Sequence, residues 1–234
     1  MVEKVSEARG AAGKLRAIRH EHVTFDGRFF EKSPAFAPIV RAASAFADHA
    51  DWPDPPDYIR AFAEAAPVVR FELTPPKRRR PPGPIVRTEL YDAVIVQRRA
   101  VPTRARMWHD YLNALVWATF PRSKLALHRR QHDAIERWIP PGATQLPNAR
   151  TREMDTLALV DEGGVLLLGD HPILFGHALF ESLVLGQPAM AARAVILSVE
   201  GHDASTTVAD AILAERLADT RAFLSPDELP RRAI

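Results

Sequence analysis

Proline restricts this chain more than any other feature of its sequence. Twenty of its 234 residues are proline, against a usual share of about 5%. A proline fixes its own φ, lacks an amide donor and disfavours helix at the residue before it. Five of the prolines fall within TPPKRRRPPGP at 74–84. This Pro/Arg-rich segment is therefore predicted to be an irregular loop.

Apolar spacing predicts both helices and strands between the prolines. Helices are predicted at 103–120, ending before a proline, and at 121–138. A strand is predicted at 87–97, and DTLALVDEGGVLLLGD at 155–170 is predicted to be a hairpin that turns at its glycines. The predicted fold class is α+β, a small antiparallel or mixed sheet with a central hairpin packed against about six helices.

The length of the chain favours one domain, since 234 residues can bury a sizeable core. We expect residues 1–32 to form an N-terminal extension. Residues 33–234 are expected to form a single α+β domain that contains the loop at 74–84.

The composition excludes several kinds of site. The chain has no cysteine, which excludes disulfides, thiolate metal ligands and thiol nucleophiles, so a metal would need histidine or carboxylate ligands. No run approaches the roughly 18 apolar residues of a membrane-spanning helix, and the first twenty residues are too charged for a signal peptide. We therefore expect a cytoplasmic protein with no membrane partner.

Charge is distributed unevenly along the sequence. Residues 70–152 hold 17 basic and 6 acidic side chains, whereas residues 153–234 hold 5 and 13. The basic segment could bind nucleic acid or another acidic partner, or it could pair with the acidic third of the same fold. Both interpretations remain open.

A first group of candidate site residues lies in WHDYLN. His109 and Asn113 are four residues apart and share a helix face, which Asp110 flanks. Among apolar neighbours these polar groups need partners, because a buried unsatisfied group costs about 1–3 kcal/mol. They either hydrogen-bond to neighbouring loops or contribute to a functional site.

A second group lies in GHALFES, where His177 and Glu181 are also four residues apart and Gly176 allows another backbone to approach closely. If this helix faces the first, His109, His177 and Glu181 could bind a divalent metal, with Asp110 nearby. The same residues could instead perform metal-free acid and base steps.

Two further patterns are more typical of solvated surface residues than of a functional site. HRRQH has the spacing of a zinc-binding helix, but Arg129 stands where a zinc protease needs its glutamate, so a solvated basic surface is expected. Asp161 and Glu162 at the predicted glycine turn are expected to be solvated.

Together these motifs resemble a bacterial family catalogued as domain of unknown function 3025. The resemblance extends from about Phe36 onward and rests on Trp-His-Asp, Asn-Ala-Leu, the Asp-Glu-Gly-Gly segment and Gly-His-Ala-Leu. It implies no activity. The matching positions are Trp108, His109, Asp110, Asn113, Pro121, Lys124, Asp161, Glu162, His177 and Glu181.

The leading hypothesis is a hydrolase-type enzyme acting on a small-molecule substrate. His109 or His177 would be base or metal ligand, Glu181 and Asp110 ligand or orienting group, and Asn113 a polarising donor. Lys124 or Arg122 would bind an anionic part of the substrate. The alternatives are a nucleic-acid or acidic-partner binding module that uses residues 70–152, and a polar network with a purely structural role.

Overall fold

The computed structural model describes residues 24–63, 65–74, 83–146, 150–187, 192–197 and 205–232. Most of the loop predicted at 74–84, including the KRRR segment, lies outside these residues. The described residues form seven α-helices and six strands, and the mixed α+β class is confirmed. The helices are α1 (Val40–Ala43), α2 (Tyr91–Arg98), α3 (Trp108–Thr119), α4 (Pro121–Trp138), α5 (Arg152–Gly163), α6 (His177–Val184) and α7 (Thr206–Ala218).

The strands form two separate sheets. They are β1 (Arg70–Leu73), β2 (Ala100–Thr103), β3 (Gly164–Leu168), β4 (His171–Leu174), β5 (Ala192–Leu197) and β6 (Arg231–Arg232). β1 and β2 pair in parallel as a two-stranded sheet. The other sheet has the order β4-β3-β5-β6, in which β3 and β5 are parallel and the two outer pairings are antiparallel.

Helix α3 lies at the centre of the main hydrophobic core. Its residues Tyr111, Leu112, Ala114, Leu115, Val116 and Trp117 are all fully buried. A helix that is apolar nearly all round has to be buried on most of its faces. Polar groups on this helix therefore face other protein groups or a pocket.

The boundary between α3 and α4 follows the prediction. α3 ends at Thr119, and Pro121 is the first residue of α4, which ends at Trp138 as expected. The residue between them, Phe120, has an extended φ of −126°, because the residue before a proline is kept out of the helical region. The break turns the chain while keeping both helices on the same core.

The predicted central hairpin at 155–170 is wrong. Helix α5 continues to Gly163, and β3 begins directly at Gly164. Gly164 has φ −70°, and a Cβ there would lie 2.4 Å from the carbonyl oxygen of Val160. Glycine is therefore needed for close packing rather than for a turn. A hairpin does form one element later, where Gly169, with φ +57°, connects β3 to β4.

The predicted strand at 87–97 is also wrong, because residues 91–98 form helix α2. Ala93, Val94 and Ile95 are consecutive and all buried, so this short helix is covered on more than one side. Strand propensity depends on the surface available, and here α2 packs against α4.

The expected N-terminal extension overlaps the described residues only at 24–32. Phe25 and Phe29 in this stretch are buried in the main core, against the ring of Trp108. The division of the chain into extension and domain stays a prediction. Within the part of the chain described, no helix is long and apolar enough to cross a bilayer.

Candidate metal centre

Two histidines from different helices meet at the edge of the main core. His109 lies in the first turn of α3, and His177 is the first residue of α6. Their Nε2 atoms are 3.1 Å apart, and their ring centroids are separated by 4.5 Å. The two helices singled out by their polar residues therefore converge.

The second ring nitrogen of each histidine is held by an acceptor. His109 Nδ1 is 2.8 Å from Oε2 of Glu181, and His177 Nδ1 donates to the backbone carbonyl of Asp161 at 2.9 Å. A carbonyl oxygen only accepts, so a neutral His177 carries its proton on Nδ1 and presents a lone pair at Nε2. Burial lowers the pKa of His177 to about 3, which keeps this ring neutral.

The pKa of His109 is shifted in the opposite direction. Burial lowers it, but the hydrogen bond with Glu181 and the charges of Glu162 and Asp110 outweigh burial, so the pKa is raised. A protonated His109 can donate from Nδ1 to Glu181 and from Nε2 to His177. The point between the two Nε2 atoms is therefore suited to a proton or to another cation.

Gly176 sets the position of His177. Its amide donates to the carbonyl of Gly164 at 2.9 Å. A Cβ at position 176 would lie 2.5 Å from both the carbonyl oxygen of Glu162 and the amide nitrogen of Gly164. Only glycine permits this approach, as the sequence led us to expect, and it brings the start of α6 against the end of α5.

Glu162 becomes part of the site through this contact. It was expected to be a solvated turn residue, but it lies in the last turn of α5 with Oε2 3.4 Å from Nε2 of His177. Its side chain is 45% exposed. Burial and the neighbouring charge of Asp161 raise the pKa of Glu162. The predicted turn is wrong, because Gly163 ends α5 and Gly164 begins β3, whereas the predicted contact of Glu162 with solvent holds for part of its side chain.

Lys124 and Asp161 form a buried ion pair beneath the histidines. The Lys124 side chain is 0% exposed, its Nζ bonds to Oδ1 of Asp161, and it lies 5.6 Å from the centroid of the Trp117 ring. Burial raises the pKa of Asp161, but Lys124 and His177 more than compensate and hold it well below its usual range. The pair fixes the end of α5, whose carbonyl orients His177.

Asp110 is fully engaged by an arginine. Its carboxylate accepts from the backbone amide of Arg104 at 2.6 Å, and from Nε and Nη2 of the same residue at 3.0 and 2.6 Å. Asp110 therefore positions Arg104 and the loop before α3. It does not share the histidines' hydrogen bonds.

Asn113 lies one turn along α3 from His109 and is buried. Its Nδ2 is 3.4 Å from the hydroxyl of Tyr91, and its Oδ1 has no hydrogen-bond partner among the described residues. A buried amide left half-satisfied is costly. Its position at a pocket wall indicates a group that a ligand can contact.

These side chains surround a pocket of about 310 Å³. It is lined by Thr74, Tyr91, Pro102, Arg104, His109, Asp110, Asn113, Asp161, Glu162 and His177. Glu181 is not among them, since it holds His109 from the other side. Lys124 and Arg122 are also absent: Lys124 lies below the pocket, and the exposed Arg122 is tied to Asp210 by its amide.

The donor set fits a metal ion. One ligand atom each from His109, Glu162 and His177 lie within 4.8 Å of one another. Four ligands at about 2.0–2.2 Å around a tetrahedral zinc stand roughly 3.4 Å apart. Two of the three separations, 3.1 Å between the imidazoles and 3.4 Å from His177 to Glu162, are close to that edge, and the third, from His109 to Glu162, is within 4.8 Å.

The HRRQH segment of α4 is not the solvated surface that was expected. His128, Arg130 and His132 are buried. Arg130 bonds to Glu153 and to backbone carbonyls that include those of Leu217 and Asp219. Arg129 is exposed as expected, but α4 packs against α2, α5 and α7, and these contacts cover the other three side chains.

Glu162 and Tyr91 are site residues that spacing arguments missed. Tyr91 was assigned to a strand and Glu162 to a turn, so neither was placed beside the histidines. The signal for Glu162 was present in the family resemblance, which included it on motif grounds. Tyr91 carried no such signal.

Comparison with known families bears on this site. Residues 84–174 match the model of a family described as Protein of unknown function (DUF3025). The resemblance is confirmed. The DUF3025 match is shorter than the extent expected from Phe36, and it ends before His177 and Glu181. No curated protein and no solved structure matches the chain significantly.

Proposed function

We propose that the chain is a metal-dependent enzyme of hydrolase type, in which His109, His177 and Glu162 bind a divalent cation. One observation carries the proposal: both Nδ1 atoms are engaged by acceptors, while the two Nε2 atoms lie 3.1 Å apart and that of His177 lies 3.4 Å from Oε2 of Glu162. Histidines that bind metals commonly donate their other nitrogen to a carboxylate or a backbone carbonyl. Glu181 and the Asp161 carbonyl would serve as these two acceptors.

The choice of Glu162 rather than Glu181 as ligand changes the roles expected from the sequence. Glu181 is already bonded to Nδ1 of His109, on the side of the ring away from His177. It would orient His109 and increase its basicity. Asp110 would not contact the metal ion, and its role would be to hold Arg104 in position.

Hydrolysis is the reaction that the pocket supports best. Three protein ligands with an open fourth position are typical of catalytic rather than structural zinc sites. A bound divalent cation lowers the pKa of a water molecule and polarises a carbonyl or phosphoryl oxygen. The Asn113 amide and the Arg104 guanidinium at the pocket wall would stabilise the negative charge that develops on such an oxygen.

The binding of nucleic acid or an acidic partner by residues 70–152 has less support. Within the described residues, Lys124 pairs with Asp161, while Arg130 and Arg137 both pair with Glu153. These contacts favour pairing between the basic segment and the acidic third of the fold. Retention on heparin at low salt, lost steeply as salt is raised, would restore that alternative.

We also propose a cytoplasmic location, which the absence of cysteine supports.

The experiment is a titration of purified, chelator-treated protein with zinc and with manganese by calorimetry, followed by a screen of ester, amide and phosphoester substrates. We expect one site per chain and activity that a chelator abolishes. His171, an exposed histidine in β4, supplies the control variant His171→Ala. A chain that binds neither metal, or hydrolysis that survives chelation, would contradict the proposal.

A further inference from the structure

A second cavity of about 540 Å³ adjoins the metal centre. Tyr91, Asp161 and Glu162 line both this cavity and the pocket of the histidines. The two spaces therefore share part of their lining. We call the larger space the His128 cavity, after a buried histidine in its lining.

Part of the lining of the His128 cavity is apolar. Ile135 and Ile139 belong to a small hydrophobic cluster separate from the main core, with Trp138 and Met154 packed against it. All four line the cavity. An apolar group placed here would extend this small cluster and leave water, which is favourable in proportion to the area it buries.

His128 provides a specific polar contact in this cavity. It is 1% exposed, its ring is stacked on Trp117 with centroids 5.3 Å apart, and its Nδ1 is 2.8 Å from Oδ1 of Asp92. A carboxylate accepts from Nδ1, so Nε2 of the neutral ring carries a lone pair. Nε2 has no hydrogen-bond partner among the described residues. When the ring is neutral, this atom is an acceptor that a donor on a ligand can complete.

We propose that the His128 cavity is the subsite for the part of the substrate that does not react. It would take an aromatic or branched apolar group carrying an N–H or O–H donor, which bonds to Nε2 of His128. This rests on the proposed function, since the bond to be hydrolysed would lie across Tyr91, at His109 and His177.

The test uses indole, which has an N–H donor, and 1-methylindole, which does not. Dissociation constants are measured by ligand-observed NMR with zinc-loaded and with chelator-treated protein. We expect indole to bind about five-fold more tightly, the value of one ordinary hydrogen bond. The difference should be present with and without zinc. His128→Phe, which keeps a ring on Trp117, should remove it, and Ala158→Phe, which fills the cavity from α5, should weaken both probes.

A direct readout keeps the test decisive if the His128→Phe variant does not fold. The 15N shift of His128 Nε2 in the wild-type protein should move on adding indole and not on adding 1-methylindole. Equal affinities, a preference that survives His128→Phe, or no binding of either probe at millimolar concentration would overturn the subsite. Zinc binding without an indole preference would overturn the subsite alone. An indole preference without zinc binding would overturn the metal centre alone.

Discussion

The Nε2 atoms of His109 and His177 lie 3.1 Å apart although the two residues are 68 positions apart in the sequence. Each ring is fixed from behind, by Glu181 on one side and by the Asp161 carbonyl on the other. Two neutral imidazoles in this arrangement direct two lone pairs at one point. A proton held by His109 bridges the two lone pairs in the metal-free protein, and a metal ion bound in its place would have Glu162 as a third ligand.

Glu162 and Glu181 are expected to differ in their effect on metal affinity. Glu181→Gln should weaken zinc binding about 10- to 100-fold, because it alters an orienting hydrogen bond. Glu162→Gln should weaken it more, since it removes a charged ligand. Calorimetric titration of both variants would measure the difference. A larger loss in Glu181→Gln would reverse the roles assigned to the two glutamates.

Metal binding is expected to stabilise the fold. A ligand that binds only the folded state at 100 times its Kd raises the free energy of unfolding by about 2.7 kcal/mol. Zinc should therefore raise the midpoint of urea unfolding in the wild-type protein, and a chelator should reverse the shift. In His109→Ala and His177→Ala the shift should be absent. An equal shift in these variants would place the zinc elsewhere.

Removing the charge of Lys124 should be strongly destabilising. Lys124→Met leaves Asp161 buried without its partner, at a cost of about 3–5 kcal/mol. Adding Asp161→Asn to this variant should recover part of the loss. Urea unfolding of the two variants would show this, with Lys32→Met as the control, because the exposed Lys32–Asp26 pair contributes under about 1 kcal/mol. Similar losses in the two single lysine variants would contradict the role of the buried pair.

Gly176→Ala tests whether close packing of two backbones positions His177. The new Cβ would meet backbone atoms at 2.5 Å, so the start of α6 must shift, at a cost of about 1–3 kcal/mol. Zinc affinity should fall with it. Gly169→Ala is the matched control, because a Cβ there meets nothing within 4 Å although φ is positive. That control should lose stability and keep its zinc affinity, and unchanged zinc binding in Gly176→Ala would count against the positioning role.

Local rules predicted the parts of the fold that depend on neighbouring residues. The end of α3 and the start of α4 follow from Pro121, whose effect is confined to one or two positions. The shared face of His177 and Glu181 follows from helical spacing. These features need no knowledge of what packs against them.

The predictions were wrong where tertiary packing, rather than the local sequence, determines the secondary structure. GG at 163–164 is a strong turn signal, yet Gly163 is helical and Gly164 is extended. The glycine at 164 serves close packing, because a Cβ there would lie 2.4 Å from the carbonyl oxygen of Val160. Because these glycines were interpreted as a turn, the prediction placed Glu162 in solvent and not beside His177. Similarly, the β-branched run in α2 led to the prediction of a strand, so Tyr91 was not predicted to lie at the site. Spacing also could not show that α3 and α6 meet, since that contact is set by the whole core.

The measurement that tests the central claim most directly is metal content by elemental mass spectrometry. Wild-type, His109→Ala, His177→Ala and His171→Ala proteins are each incubated with zinc, manganese and ferrous iron and then desalted. We expect one equivalent of a single metal in the wild-type and His171→Ala proteins, and almost none in the other two variants. No bound metal in the wild-type protein, or full occupancy in both site variants, would contradict the metal centre.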